Sequence, residues 1–395
     1  MDVSALYAEA RAVLPEVVAL RRRIHRQPEL GLVLPETQKA VLEALGDLGL
    51  ELHTGGKTSA VVAVVRGARP GPTLLLRADM DALPLTEDTG LAFRSERDGA
   101  MHACGHDAHV AMLAGAARVL ARRRGEIAGT VKLVFQPGEE GYAGARVLIE
   151  EGLLDGEPPV EAAFALHVDS SLPAGVVATR PGPLLAAGDV FSIDLTGKGG
   201  HAAQPHLARD PIPVACEIVT ALQAVVTRQM YAFDPVIVSV TRIQAGTAAN
   251  VIPEKANVLG TIRSVSERAR RAVREKVERL AHGIAAAHGL DAKVHVLEGY
   301  PVTVNHAEST AFARGVAAGV LGEGKIVDLE APIMGAEDFA YVLQRVPGAL
   351  LFLGARPEGG EGAPLHSNRM VLEESAFATG VALHAALALR YLGAR

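Results

Sequence analysis

Short apolar runs alternating with helical stretches constrain this chain more than any other feature. Residues 60–65, 73–76, 131–135 and 162–166 are short, largely apolar runs, each too brief for a helix. Each therefore reads as a strand buried on both sides. Helices are expected between such strands at 107–123 and 143–151, and ahead of them at 4–26 and 36–48. Strands alternating with helices predict an α/β fold, a mostly parallel sheet with helices on both faces. Ligands of such sheets sit beyond the carboxyl ends of the strands. Arg77-Ala-Asp79, the pair Glu139 and Glu140, and His167 each fall at such an end.

After Arg180-Pro-Gly-Pro183 the pattern changes. It becomes strand (188–196), helix (211–229), strand (236–244), strand (255–263), helix (266–288), strand (292–298). That β-α-β-β-α-β order is the ferredoxin-like arrangement. Beyond Tyr300-Pro301 the first pattern resumes, with a strand expected at 349–353 and a long helix near 374–392. The sequence thus predicts a discontinuous first domain, 1–183 with 299–395, carrying an inserted α+β domain at 184–298. A chain of 395 residues is long enough for two cores.

Bulk properties exclude several classes of function. A formal net charge of -6 gives no reason to expect nucleic acid or an anionic membrane as partner. No stretch approaches the ~20 apolar residues of a spanning helix, and the start lacks the pattern of a signal peptide. Cys104 and Cys216 are too few for a disulfide framework. A reducing compartment, most simply the cytoplasm, is expected.

The chemistry concentrates in two strings, Met101-His-Ala-Cys-Gly-His-Asp-Ala-His109 and Phe135-Gln-Pro-Gly-Glu-Glu-Gly141. Cys104 and His106 offer a thiolate and an imidazole beside a glycine. Glu139 and Glu140 are adjacent, and in extended backbone neighbouring side chains point opposite ways. One could then bind metal while the other moves the proton of an attacking water, as metal-assisted hydrolysis requires. His167 and His366 bring the donors to five: Cys104, His106, Glu140, His167 and His366. Five are awkward for one closed tetrahedral ion but suit two ions that share a ligand, and a thiolate can bridge. Two such ions stand ~3.5–4 Å apart. Nitrogen, sulfur and oxygen donors together permit zinc, manganese, cobalt or nickel. Cys104 as a thiol nucleophile, with His106 or His109 as base, stays open at this point.

These strings, with Gly197-Lys-Gly-Gly-His-Ala202 and Asn250-Val-Ile-Pro253, resemble the N-acyl-amino-acid amidohydrolases. That group includes hippurate and auxin-conjugate hydrolases, within the aminoacylase and carboxypeptidase family of dinuclear metallopeptidases. The resemblance spans essentially the whole chain. It implies that Cys104, His106, Glu140, His167 and His366 hold two divalent ions, and that Glu139 is the general base. Asp79 would orient a ligand imidazole through its other nitrogen. Arg77 stands where the wider family has a histidine ligand, and arginine cannot coordinate metal. In the inserted domain the resemblance gives His201 the tetrahedral oxyanion, usually of a partner subunit. It gives Asn250 the substrate's amide oxygen and Arg263 its free carboxylate, with Gly335 letting backbone approach that carboxylate. A homodimer or dimer-based homotetramer follows by the same route. The expected reaction is cleavage of an N-acyl amino acid. A metallo-carboxypeptidase or dipeptidase, an N-acetyl-diaminopimelate-type deacetylase, and a non-catalytic metal-binding protein are the alternatives.

Overall fold

The computed structural model describes residues 3–156, 158–360 and 362–393. Two compact units divide the chain: Met1–Leu184 with Val304–Glu330 and Tyr341–Arg395, and Leu185–Thr303 with Ala331–Ala340. By contact, therefore, the second unit also takes in 331–340, a segment that the sequence reading assigns to the first.

Eight strands form the sheet of the first unit. Their spatial order is Glu51–Thr54, Val61–Arg66, Ala128–Gln136, Arg69–Asp79, Val160–Pro173, Gly348–Arg356, Val177–Thr179, Ile326–Asp328. The four central strands run parallel; antiparallel pairings involve the first two strands and Val177–Thr179. Parallel neighbours need long crossovers, and helix His106–Arg122 lies on the one between Arg69–Asp79 and Ala128–Gln136. This helix is buried along nearly its whole circumference, packed by helices Leu14–Arg26 and Phe377–Tyr391. Its small and apolar composition on every face is what such a position demands.

Three elements differ from expectation for identifiable reasons. The helix expected at 4–26 is two helices, Val3–Ala12 and Leu14–Arg26, with Pro15 in the first turn of the second. Proline lacks the N–H of a helix interior but is tolerated in a first turn. The strand expected at 73–76 runs from Arg69 to Asp79. Its end is buried although polar, so an apolar-run reading stops early. His167 lies inside strand Val160–Pro173, not at its end. Arg77 pairs with Ala165, however, so His167 stands level with Asp79, where the neighbouring strand stops.

The second unit carries a four-stranded antiparallel sheet. Its order is Val236–Ala245, Lys255–Ser264, Ala187–Thr196, Asp291–Leu297. Helices Pro211–Gln229 and Glu267–Ala287 are capped by Asp210 and Ser266, whose side chains accept N–H groups of Ile212 and Ala269. Together with alternate residues of the strands they close a separate core around Phe191, Ile193, Val258, Val273 and Val277. No described helix is long and apolar enough to cross a membrane.

Candidate metal centre

Three segments of the first unit converge beyond the carboxyl ends of its parallel strands. The first is the turn before helix His106–Arg122, where Gly105 has φ +84° and a Cβ would lie 2.4 Å from Val168 Cγ2. Glycine alone fits there without strain, which fixes how Cys104 and His106 project. The second is the turn after strand Ala128–Gln136. There Gly138 has φ +75°, and a Cβ on Gly144 would fall 1.7 Å from the Pro137 carbonyl oxygen. The third carries His366, held at φ 66° with its N–H donating to the Ala103 carbonyl at 2.8 Å. A left-handed histidine is uncommon, and such outliers concentrate at functional sites.

One ligating atom from each of Cys104, His106 and His167 lies within 4.8 Å of the others, and the same holds for Cys104, Glu140 and His366. The thiol therefore belongs to two groups of three donors. Its Sγ is 3.5 Å from His167 Nε2, and His366 Nε2 is 3.4 Å from a Glu140 oxygen. Two ring nitrogens are turned inward by hydrogen bonds on their far sides. His106 Nδ1 donates to the Asp81 carbonyl at 2.8 Å, and His167 Nδ1 donates to the Val168 carbonyl at 2.7 Å. This second layer of bonds is what fixes a ligating imidazole's tautomer. His106 Nε2 is buried without a hydrogen bond, and buried Glu140 Oε1 has no more than the 3.4 Å contact to His366 Nε2. Such orphans are costly unless something absent from the polypeptide satisfies them. Thiol, imidazole and carboxylate are together the donor set of a transition-metal site, and the residues present fit a pair of divalent ions.

The electrostatics point the same way. Burial pushes the Cys104 thiol above its ordinary pKa, although His106 and His366 oppose this. Burial alone would raise Glu140, but His366, His106 and Cys104 hold it below the usual carboxylate range. His366 is pushed up to about 10 by its hydrogen bonds to Cys104 and Glu140. His106 is raised well above its ordinary value, because Asp79 and Cys104 outweigh its burial. In the metal-free chain, protons on His106 and His366 thus balance the acidic donors, while burial holds His167 well below its ordinary value. Cations binding there must displace those protons.

Glu139 sits 6% exposed beside this set, with a carboxylate oxygen within 4.8 Å of ligating atoms of His106 and Glu140. The backbone at Glu139 and Glu140 is a turn, not extended. The two carboxylates consequently share one neighbourhood and do not diverge as an extended strand would make them. Asp79 also departs from expectation. One of its oxygens accepts from His109 Nδ1 and the other from Arg77; its approach to His106 Nε2 is only 3.7 Å. The imidazole it orients is His109, whose Nε2 accepts the Val168 N–H at 2.8 Å. With both nitrogens engaged, His109 has none left to serve Cys104 as a base. The residue that sequence reasoning missed is Asp81, whose carboxylate accepts the backbone N–H groups of Glu139 and Glu140. Its spacing of two from Asp79, past a buried strand, was the available signal.

The second unit holds the remaining candidates. His201 lies exposed on the small ladder joining Gly200–His201 to Val251–Ile252, paired with Val251, and exposed Asn250 sits in the turn just before that ladder, its carbonyl accepting the Ala202 N–H at 3.1 Å. His201 Nδ1 accepts the Ala203 N–H at 3.0 Å, leaving Nε2 outward. Arg263 lies within strand Lys255–Ser264 opposite Gly188. A Cβ on Gly188 would come 2.6 Å from Arg263 Nη1, so that glycine makes room for the guanidinium. Among the described residues no carboxylate pairs with Arg263. Gly335 has no left-handed φ, and a Cβ there would make ordinary contacts, the nearest 3.4 Å from Leu185. Nothing in its backbone demands glycine.

A profile of peptidase family M20/M25/M40 matches residues 75–390. The chain is 41% identical over 394 residues to thermostable carboxypeptidase 1 of Saccharolobus solfataricus, covering 98% of each. It is 40% identical over 345 residues to the N-acetylcysteine deacetylase of Bacillus subtilis, covering 87% of this chain and 89% of that one. Its fold matches a solved dinuclear metal binding peptidase of Bacillus subtilis from the M20 family. The TM-score is 0.83 at 36% identity, over 97% of this chain and 99% of that one.

Proposed function

The chain belongs to peptidase family M20/M25/M40, metal-dependent amidohydrolases and peptidases, and on that premise we propose that it hydrolyses N-acyl amino acids. The products are a carboxylic acid and a free amino acid. The observation that carries this reading is the thiol of Cys104 shared between two donor groups, with the carboxylate of Glu139 beside them. His106 and His167 would hold one divalent ion with Cys104; Glu140 and His366 would hold the second. Bound there, two cations would acidify an attacking water and polarise the amide carbonyl.

Glu139 takes the proton of that water and delivers it to the leaving amine nitrogen. The role falls to Glu139 because Glu140 is the carboxylate grouped with Cys104 and His366. In the second unit, Arg263 binds the substrate's free carboxylate through its guanidinium fork. Its lack of an ionic partner among the described residues supports that role. Asn250 holds the amide oxygen, and His201 of one chain stabilises the oxyanion formed in a dimeric partner. Zinc or manganese is the expected metal, with cobalt or nickel also able to serve. A cytoplasmic location would keep Cys104 reduced.

A second reading, a metallo-carboxypeptidase, is favoured by the likeness to thermostable carboxypeptidase 1. Both presume a free α-carboxylate and differ in the acyl side. Metal-depleted protein reloaded with Zn²⁺, Mn²⁺ or Co²⁺ and assayed on N-acetyl, N-benzoyl and dipeptide substrates separates them. Faster turnover of N-acyl amino acids is expected. Cleavage of peptides alone would transfer the case to the second reading, and turnover insensitive to chelation would end both.

A further inference from the structure

We propose that Asp81 is the positioning residue that divides the labour between Glu139 and Glu140. The proposal rests on the hydrolytic reading above. Asp81 follows strand Arg69–Asp79 and is 1% exposed. One carboxylate oxygen accepts the backbone N–H of Glu139 and the other that of Glu140, each at 2.9 Å. Its own carbonyl accepts His106 Nδ1 at 2.8 Å. A single buried residue therefore touches the segments bearing the base and two of the metal ligands.

The geometry is specific to a carboxylate. Successive N–H groups of an extended chain point to opposite sides, so two can reach one side chain only where the backbone turns. Gly138 and Gly141, at φ +75° and +88°, frame that turn. Asparagine would offer one acceptor and set its NH₂ against the second amide, and serine has a single oxygen. No lysine or arginine pairs with Asp81 among the described residues. Its acceptor capacity goes to these two amides. By clamping both amides, Asp81 keeps Glu140 toward Cys104 and His366 and sets the Glu139 carboxylate beside them, within reach of His106 and Glu140. By accepting from His106 Nδ1, it leaves Nε2 as the ligating atom.

The test is Asp81→Asn, compared with wild type and with Glu139→Gln. Hydrogen exchange read by mass spectrometry on metal-free protein should speed up in peptides containing the 139 and 140 amides. Peptides from strand Lys255–Ser264 should not change. Zinc affinity, by competition with a chromophoric chelator, should fall ~10–100-fold, and kcat at saturating zinc should fall by a similar factor with KM unchanged. Glu139→Gln should lose kcat while keeping zinc affinity. Unchanged exchange at 139 and 140, or unchanged kcat at saturating zinc, would overturn the proposal. So would faster exchange throughout the chain, which marks a merely structural role. Should Asp81→Asn not fold, Asp81→Glu keeps the charge, displaces both oxygens, and must give the same local pattern. If wild type cleaves no N-acyl amino acid, the proposed function fails on its own. Exchange and zinc competition still decide the role of Asp81.

Discussion

Glu139 and Glu140 are chemically identical and adjacent, so what separates them is where the fold sends each carboxylate. Glu139→Gln keeps the shape and removes the base. Hydrolysis should drop ~10²–10⁴-fold with metal content unchanged by elemental analysis; a smaller loss would take the base role from this residue. A second residue-scale prediction concerns acid stability. His384, buried on helix Phe377–Tyr391, has its pKa lowered to about 3, chiefly by burial. Burial does the same to His102, also to about 3. Between the unfolded value near 6.5 and about 3, the unfolded chain binds protons that the folded chain refuses. The contribution of these two histidines to stability is therefore fully present above pH 6.5 and declines as pH falls toward 3, at up to ~1.4 kcal/mol per pH unit for each. Urea midpoints of metal-free protein measured from pH 7 to pH 4 check this. His384→Met should flatten the decline, and an equally steep decline would contradict it. Residue identity singled out Cys104 and the four side chains that the fold gathers around it, and the carboxylate of Glu139 beside them. The bonds of Asp79 and Asp81 were not legible in the sequence, because which imidazole or amide meets a carboxylate depends on contacts across strands.

At the scale of elements, the turn joining Cys104 to His106 is the most constrained piece of backbone in the centre. Gly105→Ala places a Cβ at φ +84° and 2.4 Å from Val168 Cγ2. A cost of ~1–3 kcal/mol follows, read as a lowered thermal midpoint together with weaker zinc binding. An unshifted midpoint would mean that the turn relaxes easily. Regular elements were legible wherever burial was apolar, as along helix His106–Arg122 and the central strands. They were misread where burial and polarity part company. Strand Arg69–Asp79 runs on through buried Arg77 and Asp79. The turn at Glu139 and Glu140 was hidden because its determinant is a carboxylate about 58 residues upstream.

For the whole molecule, the ferredoxin-like order of the second unit was written in the alternation of strands and helices. Residues 331–340 join that unit through contacts that local sequence does not report. Partnership between chains is the prediction that belongs here. His201→Ala and Glu139→Gln proteins, each inactive alone, should regain activity when unfolded together and refolded. In random two-fold dimers one site per heterodimer is intact, giving about a quarter of wild-type activity. No recovery would place His201 in the service of its own chain, or of none. The central claim is a thiolate shared by two cations, and zinc K-edge X-ray absorption on enzyme loaded to saturation tests it most directly. Two zinc ions per chain are expected, with a sulfur neighbour at ~2.3 Å and a zinc–zinc vector at ~3.5–4 Å. A single ion per chain, or a shell of nitrogen and oxygen without sulfur, would contradict it.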